Sequence, residues 1–166
     1  MAGEDFNIDV EGNYEGVDFE AIAAEELDRA AVRTVNEWQD NMDEADYRNT
    51  GDTINSITWE RPEQLRRVIG SDRMAALIGE VGRAPGAGFP PAWAIADWVH
   101  EMGDMPDRGD PDFDGVVFQV QRAIHENGLP AHRFGERAAK TVGEQFGLEM
   151  TQALQEEIER QDRKHG

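Results

Sequence analysis

Cysteine is absent from the 166 residues. That excludes a disulfide framework, a thiolate metal site and a cysteine nucleophile. Lysine is almost absent, at Lys140 and Lys164 alone, and serine occurs only at Ser56 and Ser71, neither within a Gly-x-Ser-x-Gly elbow. No apolar run approaches the ~18 residues of a membrane span. The first residues, Met1-Ala2-Gly3-Glu4-Asp5, show neither the basic start nor the apolar core of a secretory leader, so synthesis and folding are expected in the cytoplasm. Basic runs are also missing, which disfavours a grip on nucleic-acid phosphates.

What is present is acid. Asp and Glu number 35 against 16 Lys and Arg, a formal net charge of -19. In dilute salt such a charge opposes compaction by self-repulsion, whereas at 1 M salt the screening length falls to ~3 Å and most of the penalty disappears. Carboxylates also hold water where salt competes for it, and scarce lysine removes aliphatic stems that salt would drive together. The pattern predicts a protein adapted to concentrated salt. Disorder is disfavoured by 39% hydrophobic residues and by Trp38, Trp59, Trp93 and Trp98. Mimicry of nucleic acid would concentrate the charge, but acids run from Glu4 to Asp162.

Periodicity organises the chain. Residues 1–16 predict a flexible acidic arm, 17–161 a single α+β domain and 162–166 a frayed tail. Phe19, Ile22, Ala23, Leu27, Ala31, Val35, Trp38 and Met42 fall on one helical face, predicting a long helix from Val17 to about Glu44. After the breaker Asn49–Asp52, three short runs, Ile54–Glu60, Leu65–Gly70 and Ala75–Val81, predict an antiparallel sheet of three to four strands. Gly82–Pro91 predicts a loop, and Pro90-Pro91 a helix start with Ile95, Trp98, Val99 and Met102 on one side. An acidic loop over 103–114 precedes a helix from Gly115 to Glu126, which Asn127-Gly128 should stop. A long last helix from about Arg133 carries Ala138, Val142, Phe146, Met150, Leu154 and Ile158 and is expected to pack on the sheet.

Few constellations suggest chemistry. Asp110-Pro-Asp112-Phe-Asp114-Gly115 matches the first half of a calcium loop, making Asp110, Asp112 and Asp114 the candidate cation ligands. The closing bidentate Glu of such a loop is replaced by Gln121. The competing reading is a solvated acidic loop in which Asp114 caps the next helix. Gly82–Gly88 lacks the Lys-Ser/Thr of a phosphate cradle, His100-Glu101 lacks the second zinc histidine, and no carboxylate pair stands out. No catalytic residue, cofactor or enzymatic role is expected.

The order of three turn motifs resembles the minor tail and tail-completion proteins of tailed phages, which join the tail tube to the capsid neck. Thr50-Gly51-Asp52-Thr53-Ile54-Asn55-Ser56-Ile57 is similar to that family's Thr-Gly-x-Leu-x-x-Ser-Ile entry into the sheet, with Thr53 in place of Leu. Ala75–Gly82 followed by Pro85-Gly86 and Pro90-Pro91 resembles its Glu-x-Gly strand end and Pro-Gly loop, and Gly128-Leu129-Pro130 leading to Phe134 its Gly-x-Pro segment.

The resemblance implies a virion structural protein of the head–tail junction or tail end, assembled in the host cytoplasm as a six-fold ring. Its partners would be copies of itself, the tail tube and the neck connector, with no membrane, and DNA would pass through an acidic, non-adhesive lumen. The expected interface residues are Thr50, Gly51, Ser56, Glu80, Gly82, Pro85, Gly86, Pro130 and Phe134, together with Phe89 and Trp93 as apolar groups that could dock on a neighbour. The alternative is a monomeric haloarchaeal binding module that uses loop 103–114 for a cation or a basic partner.

Overall fold

A computed structural model describes residues 16–45, 50–101 and 105–165. The expected arm therefore lies outside the described residues except for Gly16, as do positions 103 and 104 of the acidic loop. Helix α1 spans Phe19–Glu44, α2 Thr50–Asn55, α3 Met74–Val81, α4 Ala92–Glu101, α5 Phe113–Asn127 and α6 Phe134–His165. Strands β1 (Thr58–Glu63) and β2 (Arg66–Gly70) form an antiparallel hairpin with Trp59 opposite Ile69 and Glu60 opposite Val68. The register breaks between Glu60 and Glu63, where Pro62 cannot donate to a ladder. No helix of the described residues is long and apolar enough to cross a membrane.

The fold mixes helix and sheet as expected, yet the sheet has two strands rather than three or four. The run Ala75–Val81 is helix α3. An apolar run bounded by turns is ambiguous by pattern alone, and here Ala, Leu and Met favour the helix. Its buried Ala76 and Gly79 lie three apart on one face, the spacing of a helix and not of a strand. Likewise the supposed first strand begins as α2, because buried Thr53 and Ile57 recur at a spacing of four, and pairing starts only at Thr58. Helix α6 runs on to His165, so the segment expected to fray is helical as far as it lies within the described residues.

The long last helix packs chiefly along α1 instead of on the sheet, and it is α1 that covers the hairpin. The α1–α6 pair is antiparallel: Phe134 at the start of α6 meets Met42 near the end of α1, while Glu149 pairs with Arg33. Buried Ala24 and Ala31 on α1 face a stripe of Phe134, Ala138, Val142, Met150 and Leu154 on α6, which spaces itself at four and eight residues. A Cβ at Gly135 would stand 2.7 Å from the Trp38 ring, so a glycine is needed where Trp38 packs on α6.

The hairpin is held by one side chain above all. A two-stranded hairpin is marginal in water alone, and Arg67, whose side chain is 4% exposed, ties it to α1. Its guanidinium pairs with Asp28, donates to the Ala24 carbonyl at 2.8 Å and lies 5.9 Å from the Trp59 ring centre. A second apolar cluster, Ile95, Val99, Phe113 and Val117, joins α4 to α5.

Candidate functional site: a stapled loop and an exposed aromatic face

Helices α3 and α5 end in the same way. Gly82 (φ 68°) and Gly128 (φ 73°) each stop their helix in a left-handed conformation, with the glycine N–H donating back to Ile78 and Ile124 at 2.8 Å. The residues that follow, Arg83 and Leu129, exchange both backbone hydrogen bonds at 2.8 Å. This close crossing requires glycine on both sides: a Cβ at Gly82 would lie 2.6 Å from the Ala131 nitrogen, and one at Gly128 would lie 2.4 Å from the Arg83 oxygen. Two more bonds complete the staple, from Gly86 N to His125 O at 2.7 Å and from His132 N to Gly79 O at 2.8 Å.

Glu80 sits beside this crossing and faces inward. Its carboxylate accepts from the Gly135 N–H at 2.7 Å and the Glu136 N–H at 2.9 Å, satisfying two orphan donors at the start of α6 and placing negative charge at the positive end of the helix. Arg133, with a φ of 52°, turns the chain so that those amides point at Glu80. Phe134 is 1% exposed, stacked on His132 with ring centres 5.0 Å apart and packed among Met42, Ile57 and Trp38. Its place is the core, not an exposed interface.

The stapled loop presents Phe89 outward. Phe89 is 49% exposed and stacks on His125 at 4.7 Å and on Phe118 at 6.1 Å, forming a small aromatic tier with Phe118, itself 55% exposed. Trp93, in the first turn of α4, is 64% exposed. Below the tier, Gln121 donates to the Pro90 carbonyl at 2.7 Å and fixes the loop to α5. Arg83 reaches under the loop to the Ala87 and Gly88 carbonyls at 3.1 and 3.2 Å. A rigid loop carrying exposed rings can bind an apolar surface with little loss of conformational freedom.

The structure gathers some of the expected interface residues and separates others. Glu80, Gly82, Pro85, Gly86 and Pro130 belong to the staple, and Phe89 and Trp93 to the exposed face. Gly51 lies apart at an exposed position of α2, and of Thr50 only the backbone is described. Ser56 pairs its hydroxyl with that of Ser71 at 2.6 Å, joining α2 to the end of β2. Phe118 and His125 were not among the expected residues. The signal was present for Phe118, which falls outside the Phe113, Val117, Val120, Ile124 stripe of α5.

The acidic segment is braced by its own backbone. Asp107 N donates to Asp110 Oδ2 at 2.9 Å, His100 lies 3.4 Å from Asp107, and Arg108 pairs with Asp97. Asp110, Asp112 and Asp114 are exposed, and among the described residues no three acidic or histidine side chains converge as a metal-holding group. The residue at the start of α5 is Asp112, not Asp114, and its side chain makes no capping bond.

Arg33 and Glu149 bridge α1 and α6; the hydrogen bond from Arg33 holds the Glu149 carboxyl below its ordinary value, and the same bond raises the Arg33 guanidinium. Compared with known proteins, the chain matches no protein-family model, no curated sequence and no solved structure.

Proposed function

We propose that this chain is a structural subunit of a tailed virus of salt-loving hosts, forming a ring at the head–tail junction or tail end through which DNA passes. The observation that carries the reading is that all three turn motifs meet at the start of α6. Ile57 of the first packs on Phe134 of the third, and Glu80 of the second caps the helix that Phe134 begins. Together they position a rigid loop whose apolar rings face outward, as a ring subunit needs for contact with a neighbour.

On this reading the chain performs no catalysis. Its carboxylates serve as a hydration shell on the outer surface and as a lining that repels DNA phosphates in the lumen. Sedimentation velocity and negative-stain electron microscopy of the purified chain in molar KCl test the proposal. Closed rings support it, and a monomer that persists up to high protein concentration overturns it.

A further inference from the structure

The chain folds around two apolar cores that share no residue. Met42, Ile57 and Phe134, with Trp38 and Ile69 against them, belong to a body built from α1, α2, the hairpin and α6. Ile95, Val99, Phe113 and Val117, with Trp98 and Ile124 against them, lie wholly within 84–128. Helices α4 and α5 pack on each other, and among the described residues neither packs extensively on any other helix or strand. The polar contacts of this segment close within it as well: Gln121 holds the Pro90 carbonyl, Arg108 pairs with Asp97, and Arg122 with Glu126. Its two ends meet at the staple, where Arg83 and Leu129 exchange their backbone bonds and Arg83 reaches the Ala87 and Gly88 carbonyls.

Charge is divided unevenly between the two parts. Segment 84–128 holds eight Asp and Glu against Arg108 and Arg122, a net of -6, while 16–83 and 129–166 together hold 22 against 14, a net of -8 on more than twice the length. The segment therefore carries the greater charge per residue around the smaller core. A small core gives little apolar burial to set against self-repulsion. The screening length grows from ~3 Å at 1 M salt to ~8 Å at 0.15 M, so the carboxylates of 105–114 repel one another more strongly as salt is diluted.

We propose that residues 84–128 form a salt-gated arm, folded in concentrated salt and opening as a unit in dilute salt while the body of α1 and α6 stays folded. Because the ends of the arm are paired at Arg83 and Leu129, opening releases the chain between them without pulling on α3 or α6. The gate controls the exposed aromatic face. Phe89 stacks on Phe118 and His125 of α5, so the tier exists only while the arm is folded. Contact through that face is thereby confined to concentrated salt. The gate goes beyond the ring reading and does not depend on it.

Hydrogen exchange read by mass spectrometry on the full chain, from about 3 M down to about 0.2 M KCl, tests the arm. Peptides of α4 and α5 should lose protection by at least tenfold at a salt concentration where peptides of α1 and α6 keep theirs. Loss of protection in all four helices at one salt concentration overturns the proposal, and so does an α5 that stays protected throughout or outlasts α1. Two variants separate the causes. Val99→Ala, at a fully buried position of the arm core, should move the opening to higher KCl and leave α1 and α6 unchanged; an equal loss in the body overturns the division into two units. Asp112→Asn combined with Gln119→Lys, both at exposed positions, makes the arm two charges less negative and should move the opening to at least twofold lower KCl. An unmoved midpoint overturns charge as the gate.

Discussion

Replacing Glu80 with alanine tests the inward role of a residue expected at an interface. The carboxylate accepts two α6 amide protons, at 2.7 and 2.9 Å. Loss of a helix-capping side chain costs about 0.5–2 kcal/mol, and loss of a negative charge at a helix N-terminus a further ~0.3–1. Because Glu80 is only half-buried, water can replace part of what is lost, so the middle rather than the top of the combined range applies, about 2 kcal/mol. For a chain of this size that corresponds to roughly 4–8 °C in Tm. Glu80→Gln keeps one accepting oxygen and loses the charge, so about half the effect is expected. Urea unfolding in molar KCl reads both, as a lower midpoint with an unchanged slope. Hydrogen exchange should quicken first at Gly135 and Glu136. An E80A midpoint equal to that of the unmodified chain would refute the capping argument.

The packing and the Arg33–Glu149 ion pair fix further outcomes. Gly128→Ala should destabilise by well over 1 kcal/mol, since a left-handed φ is combined with a 2.4 Å approach to the Arg83 oxygen. Gly86→Ala, with a φ of 75° and open space around it, should cost only the backbone strain of about 1–2 kcal/mol; calorimetry that ranks the two in reverse contradicts the staple. Phe134→Ala removes the largest fully buried side chain and should cost about 3–5 kcal/mol in chemical unfolding, a value under 1 being incompatible with its place in the core. Glu149, held below its ordinary value by Arg33, contributes stability that is fully present above the unfolded carboxylate range and is lost as pH falls through the lowered folded value. Acid titration of Glu149→Gln should show a shallower loss over that window than the unmodified chain, and identical curves would remove the pair from the account.

Much of the helical skeleton was legible because its periodicity is long. Phe19 to Met42 marks α1 within two residues at its start, and Ala138 to Ile158 marks α6, whose length tolerates Gly143 and Gly147. The misplaced third strand arose where pattern carries least information: Met74–Val81 is short, apolar and flanked by turns, so only its packing through Ala76 and Gly79 decides it. The partner of α6 was also illegible, because an apolar stripe says which face is buried but not against what. Glycine and proline located the loop at 82–91, but the reason for Gly82 and Gly128 lies in each other's neighbourhood, forty-six residues apart in the chain and joined only by the Arg83–Leu129 crossing. Glu80 was singled out by its motif, while its action on Gly135 depends on a turn at Arg133 that no local pattern announces.

The central claim is that this chain is built into a virus particle. Quantitative mass spectrometry of density-purified virions from the genome that encodes it, with protein copy number set against the major capsid protein, tests that most directly. The account predicts this chain in intact particles at a fixed handful of copies, retained after washing in molar KCl. Its absence from particles that contain the tail tube and portal would contradict the account.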